Sequence, residues 1–296
     1  MSSFSDNETQ QPYLVVLGTA QDGGYPHPGC RGECCRRFYD GKEDRHLVSC
    51  LGLLDPLSGR RWLFDCTPDF PAQLHFMDNI FPAEGELLDG IFLTHAHIGH
   101  YAGLMYLGRE AMGTRQVPVY GTADMAAFLR DNAPWSQLVT LDNIELRTVE
   151  PGADVKLSER ITATAMGVPH RAEYTRVVGY RIRTADKSVV YIPDIDKWHR
   201  WDMDLVTMVR DNDLLFLDGT FFRDGEIHGR PIDEIPHPFI EESLAALGSL
   251  PAEEKAKVHF IHMNHTNPAL LHGSDAQKEI AAMGFHVAIE GQRHGL

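Results

Sequence analysis

The chain has 296 residues, 43% of them hydrophobic, enough to bury a substantial core. Its formal net charge of −15 excludes the broad basic surface that phosphate-backbone binding requires, so a small-molecule substrate is expected and nucleic acid is not. No apolar run reaches membrane-spanning length, and no membrane partner is expected. The N-terminus, MSSFSDNETQQP, lacks the basic-then-apolar order of a signal peptide and reads as a disordered lead over residues 1–12. A single domain is expected over 13–296. Five cysteines, an odd number in a chain too long to need disulfides, point to a reducing cytoplasm.

In chain order, short β-like runs come first, at 13–18, 49–55, 61–66 and 90–94, each bounded by Gly, Pro, Asp or Ser. Helical patterns follow at 69–80, 100–112 and 122–132. The second half mixes the two. Strands are predicted at 143–149, 160–168, 177–184, 188–192, 213–218, 257–263 and 286–290, and helices at 202–210, 238–247 and 274–283. Strand runs followed by helices in both halves predict two packed sheets with helices outside, a four-layer α/β domain.

Residues 93–104 read LTHAHIGHYAGL, with His95, His97 and His100 on the turn between a predicted strand and a helix. Neutral imidazole is a common ligand for zinc and similar ions, and such a loop can aim alternate side chains into one cleft. His170 in GVPHR, Asp194 in VVYIPDID and His262 in VHFIHMNHTNP also follow predicted strands. Each has an ordinary alternative: a solvated turn for the triplet, a turn residue for His170, a helix cap for Asp194, a core histidine for His262. Their shared strand-end placement favours a metal site.

This ordered set resembles the metallo-β-lactamase superfamily. The pattern there is an Asp after an early strand, H-x-H-x-D-H, then a lone His, a lone Asp and a final His. The matching positions are Asp65 in WLFDC, THAHIGH at 94–100, His170, Asp194 and His262. The resemblance implies an αββα sandwich with metals at the sheet edges. It also implies a first metal on His95, His97 and His170, a second on His100 and His262, Asp194 bridging, and Asp65 orienting the loop from behind. LGTAQDGGYPHPGC, TPDFPAQL, LFLDGT and HMNHTNPAL further resemble the pyrroloquinoline quinone biosynthesis protein B group. Asp218 and His237 resemble an acid–histidine pair of the phosphodiesterase and tRNA-processing branches, which supplies a proton to a leaving group. Their plain alternatives are a turn former and a helix N-terminal residue. His265 either faces the same cleft or sits in the loop.

One position departs from the pattern. Gly99 stands where the motif carries its aspartate, so the second metal position is expected to be weaker than the first. A second candidate metal site lies in PHPGCRGECC, where His27, Cys30, Cys34 and Cys35 could hold a structural zinc; the alternative is a set of free thiols. Cys50 and Cys66 are expected in the core.

These readings predict a metal-dependent hydrolase in which water activated by one or two zinc ions attacks a small ester or phosphodiester, with His237, Asp218 or His265 moving protons. Iron or manganese are the other metals considered, and a homodimer is one open arrangement. Two alternatives follow: an iron-dependent oxidation enzyme of cofactor biosynthesis, or a metal-binding relic disabled by the loss of the motif aspartate.

Overall fold

The computed structural model describes residues 10–82, 87–226 and 235–296; residues 1–9 of the expected lead lie outside them. Residues 10–12 are placed against the body: Arg160 donates to the Gln10 carbonyl and the Leu296 N–H to the Pro12 carbonyl.

Strand β1 (Tyr13–Gly18) shows how the layers arise. Leu14 and Val16 face a core shared with the second sheet, while Val15 and Leu17 face a core shared with helices. A strand covered on both faces reads as a continuous apolar run, which is why these strands stand out in the sequence.

The first sheet adds β2 (Cys50–Asp55), β3 (Arg60–Phe64), β4 (Gly90–Phe92), β5 (Val117–Gly121) and β6 (Ile144–Thr148) in that order. The second sheet holds β7 (Asp154–Lys156), β8 (Thr162–Gly167), β9 (Val178–Arg183), β10 (Ser188–Ile192), β11 (Leu214–Asp218), β12 (Val258–Ile261) and β13 (His286–Val287). The chain then crosses back, and β14 (Arg293–Gly295) pairs with β1 at the edge of the first sheet. Among the described residues each sheet has seven strands. Trp62, Phe64, Phe92, Tyr180, Tyr191 and Phe216 fill the space between the sheets. Burying side chains of this size contributes roughly 1.5–3 kcal/mol each.

Helices α1 (Glu33–Tyr39), α2 (Phe70–Ile80), α3 (Ile98–Tyr101), α4 (Ala123–Asp131), α5 (Trp135–Thr140), α6 (Leu205–Arg210), α7 (Ile240–Leu247), α8 (Ala252–Lys255) and α9 (Asp275–Ala282) connect the strands. Phe70, Leu74, Met125, Leu129 and Leu138 pack on the first sheet; Leu205, Met208, Leu244, Leu247 and Ile280 pack on the second. The result is the expected αββα four-layer sandwich.

Several elements differ from expectation. The helix expected at 100–112 is one short helix followed by a 3-10 turn over Ala102–Leu107. The Gly103 N–H donates to the Cys66 carbonyl, and a Cβ at Gly103 would overlap the Thr67 carbonyl oxygen, so the backbone is diverted against the β3 loop. Strand β5 escaped notice because Pro118 interrupts its pattern. Val117 donates toward β6, so the missing donor at 118 faces β4, whose pairing begins only at Val119. The strand expected at 286–290 stops at Val287, since Gly291 and Gln292 bond instead to Val16 of the first sheet. Helices α1, α5 and α8 and strands β7 and β14 were also not anticipated; all are short.

Candidate metal centre

β3 and β4 run parallel, as do β10, β11 and β12, so their C-terminal ends open at a common edge of the sandwich. Asp65 follows β3, His95 and His97 follow β4, and His100 lies in α3. His170 follows β8, Asp194 follows β10, Asp218 ends β11 and His262 follows β12. Asp65 and His262 hold left-handed backbone, with φ of 68° and 65°. Non-glycine residues rarely adopt that conformation, and it clusters at functional sites.

His95, His97, His170 and Asp194 form one group of potential ligand atoms. Asp194 Oδ1 lies 3.1 Å from His170 Nε2, and Oδ2 lies 3.3 Å from His95 Nε2 and 3.7 Å from His97 Nδ1. The opposite ring nitrogens are held by neighbours. His95 Nδ1 meets Thr94 Oγ1 at 3.0 Å, His97 Nε2 meets Glu173 at 3.1 Å, and His170 Nδ1 meets Asp196 at 3.1 Å. Such partners fix the ring and direct the free lone pair, as metal-binding histidines require.

The second group is His100, His262 and Asp22. Asp22, in the loop after β1, was not singled out in the sequence. Its Oδ1 is 3.4 Å from His100 Nε2 and 3.7 Å from His262 Nε2. Behind them, His100 Nδ1 meets Asp65 Oδ2 at 2.7 Å and His262 Nδ1 meets Thr220 Oγ1 at 3.1 Å. Asp194 Oδ2 is 3.9 Å from His100 Nε2, so this carboxylate lies between the two groups.

The fit to metal is tested by the polar atoms left over. His95 Nε2, His170 Nε2, Asp194 Oδ1, Asp22 Oδ1, His100 Nε2 and His262 Nε2 are all buried and make no hydrogen bond. They crowd together without aligning on one another, as lone pairs aimed at shared centres do. Orphaned buried polar atoms cost about 1–3 kcal/mol each, so six converging ones mark a site built for something else to satisfy. Electrostatics agree at Asp194 and His95. Burial alone would raise the Asp194 carboxyl, but His237 and His170 hold it well below the usual carboxylate range. Burial also keeps His95 neutral, assisted by nearby His100. Burial opposes a charge on His100, yet the Asp65 and Asp22 carboxylates override it and push the imidazole well above its ordinary value.

Asp218 and His237 do meet. His237 Nδ1 is 2.8 Å from Asp218 Oδ2 and 3.2 Å from Asp194 Oδ1. Asp218 is fixed in turn by N–H groups of Ile195 and Thr220. Burial would lower His237, but Asp218 and Asp194 overcome it and push the imidazole up to about 9.

His265 is grouped elsewhere. It joins Cys30, Cys34 and Cys35, whose potential ligand atoms lie close to its ring. Cys30 Sγ and Cys34 Sγ are 3.6 Å apart. His27, the histidine expected here, instead turns Nδ1 to the Pro28 carbonyl and stacks its ring on His265 at 4.2 Å. The histidine grouped with the three cysteines is therefore one from the β12 loop, because sequence proximity is a poor guide to which loop folds over a cysteine turn. Cys50 and Cys66 are in the core, as expected.

A family model described as the β-lactamase superfamily domain matches residues 60–263. The chain belongs to that superfamily. Coenzyme PQQ synthesis protein B of Methylorubrum extorquens strain PA1 is 25% identical to this member over 301 residues, covering 94% of this chain and 98% of that protein. The protein of the same name from Rhizobium meliloti is 25% identical over 309 residues, covering 96% and 98%. Among solved structures, zinc-bound PqqB from Methylobacterium extorquens superposes with a TM-score of 0.81 at 23% identity, covering 96% of this chain and all of that one. A diphosphatase of the PhnP family superposes at 0.67, with 22% identity and 97% of both chains covered. The short form of human tRNase Z superposes at 0.59, with 17% identity and 96% and 98% covered. These structures show a shared fold. Among the described residues, no helix of this superfamily member is long and apolar enough to cross a membrane.

Proposed function

We propose that this protein is a metal-dependent hydrolase of a small, anionic ester or phosphodiester. The observation that carries the reading is a pair of adjacent groups holding six buried, unbonded ligand atoms, joined by Asp194, with the opposite ring nitrogens already held. His95, His97 and His170 would hold one ion and His100 and His262 a second, with Asp194 between them. Bound divalent ions at such a site acidify water and polarise the scissile group. Asp218 and Asp194 raise the His237 imidazole above its ordinary value and Asp218 orients it, which suits it to protonate a leaving oxygen. Were Asp194 to hold an ion, Asp218 would remain the carboxylate that orients His237. Arg171 lies close enough to disfavour charge on His237, and its guanidinium would attract an acidic substrate to the same opening.

The test is turnover of chromogenic phosphodiesters and carboxylic esters by protein loaded with zinc or manganese. Expected is metal-dependent hydrolysis that chelator abolishes and added metal restores. A fully metallated sample inert across both panels would refute the reading.

The end-to-end similarity to Coenzyme PQQ synthesis protein B favours a second reading, oxidation chemistry on a quinone-type precursor. Histidine and carboxylate donors also suit ferrous iron. Protein prepared anaerobically that holds iron and consumes oxygen with an aromatic amino-acid-derived substrate would select it; zinc content without oxygen uptake would reject it. The relic reading sits poorly with ring nitrogens kept in ligand-ready orientation on every histidine of the site.

A further inference from the structure

We propose that Asp22 is the carboxylate ligand of the second metal position, relocated to the β1 loop from residue 99, and that Gly99 is glycine because Asp22 fills its side-chain space. The assignment rests on the metal reading of the site but not on which reaction follows.

Space is the first argument. A Cβ added to Gly99 would overlap Asp22 Oδ1 and lie 2.7 Å from Asp22 Cα and 2.9 Å from Cγ. Gly99 lies within α3 and is not among the positive-φ positions, so its backbone conformation does not require glycine. In a helix glycine costs roughly 1 kcal/mol against alanine, and the room for Asp22 is what it provides in return.

Direction is the second. Asp22 Oδ1 is buried and makes no hydrogen bond, although about a quarter of the side chain is exposed. It faces His100 Nε2 and His262 Nε2, both wholly buried and likewise unbonded.

Attachment is the third. The β1 loop is tied to the strand end that carries His262: Met263 N–H donates to the Thr19 carbonyl at 2.8 Å, and Gln21 N–H to the Met263 carbonyl at 2.8 Å. Gly24 N–H closes a turn onto the Gln21 carbonyl at 2.7 Å. Asp22 is therefore held on a short, doubly anchored turn, at a fixed place relative to His262. With Asp22 present, the second position has two imidazoles and two carboxylates, Asp22 and Asp194, within reach. That is one carboxylate donor more than the linear motif would supply to this position.

The experiment is a cobalt(II) and zinc(II) titration of wild type, Asp22→Asn, Asp22→Ala, Asp22→Gly, Gly99→Asp and the double substitution Asp22→Gly with Gly99→Asp. Thiolate-to-cobalt absorption identifies any ion on the cysteine cluster, so the His/Asp ions are counted separately. Wild type should take two such ions. Asp22→Asn, which keeps the shape, and Asp22→Ala should leave the first affinity unchanged and weaken the second by at least roughly the 10–100-fold that loss of an outer-sphere partner costs. Gly99→Asp alone should also weaken the second, by displacing Asp22. In the double substitution the second affinity should exceed that of Asp22→Gly alone, since residue 99 then supplies the carboxylate into cleared space. Wild-type second-ion affinity in Asp22→Asn and Asp22→Ala would overturn the proposal, as would a gain of affinity in Gly99→Asp with Asp22 intact, or a wild type with one His/Asp ion only. Turnover is read separately: its absence counts against the hydrolase reading alone.

Discussion

Asp65→Asn should damage the second metal position while barely affecting the fold, and the reason lies in its hydrogen bonds. Asp65 Oδ1 accepts from Thr94 N–H and Oγ1, both at 2.9 Å, and Oδ2 accepts from His100 Nδ1 at 2.7 Å and Tyr191 OH at 3.2 Å. In asparagine one oxygen becomes a donor. The Thr94 backbone N–H can only donate, so the amide oxygen must stay on its side and the NH₂ must face His100. In the neutral ring that binds an ion, His100 Nδ1 must then accept, so the single ring proton sits on Nε2, the nitrogen that faces Asp22 and His262. The second ion then competes with a proton for that lone pair. Loss of such an outer partner costs about 10–100-fold in affinity, or about 1.4–2.7 kcal/mol. Asparagine tolerates the φ of 68°, so urea denaturation of the metal-free protein should shift by less than about 1.5 kcal/mol. Asp65→Ala serves as contrast. It strands the Thr94 N–H at about 1–3 kcal/mol and adds about 1–2 kcal/mol of left-handed strain. Chelator competition measures the affinity, and ¹⁵N shifts of the His100 ring report its tautomer. An Asp65→Asn protein with wild-type second-ion affinity and Nδ1 still protonated would refute the reasoning.

Asp218→Asn and His237→Asn should each lower hydrolysis by about 10²–10⁴-fold, with first-ion affinity held within a few fold, as proton-transfer residues do; steady-state kinetics alongside metal titration checks this, and unchanged turnover would remove the pair from the chemistry. His265→Ala should abolish thiolate-to-cobalt absorption or weaken that ion, whereas His27→Ala should leave it intact; the reverse result would return His27 to the cluster. His259 is buried and pushed down to about 3 by burial and by the neighbouring His294 and His286. Its unfolded form binds a proton first, near pH 6.5, so wild-type stability should fall as pH drops from about 6.5 toward 3, by at most ~1.4 kcal/mol per pH unit from this group. In His259→Leu that slope should become shallower over the same window; parallel pH profiles of denaturation midpoint would contradict the sign.

The layers were legible because each strand is a local run. Residues 189–192 of β10 and 214–217 of β11 are unbroken apolar runs for a local reason, a helix layer on one side and a second sheet on the other. The histidines were legible for a related reason. A strand end delivers its next residues to the sheet edge, so His170, Asp194 and His262 could each be placed from the run that precedes them. His265 follows the same strand as His262, yet three residues of loop carry it to the cysteines, where no periodicity constrains it.

Asp22 marks the limit more sharply. In GTAQDGG it carries the signature of a tight turn, and turn aspartates are ordinary. What makes it a ligand candidate is pairing between its loop and Met263, a contact across more than two hundred positions that no local pattern encodes. The usable signal was at Gly99, which the same loop meets. A glycine inside a helix, at normal φ, beside histidines whose second carboxylate is missing, is a position that has given up helix stability for room. Room next to a metal site implies an occupant. Here that occupant has the right charge and faces the deprived histidines, so the gap in the linear motif and the aspartate in the distant turn are two halves of one structural substitution.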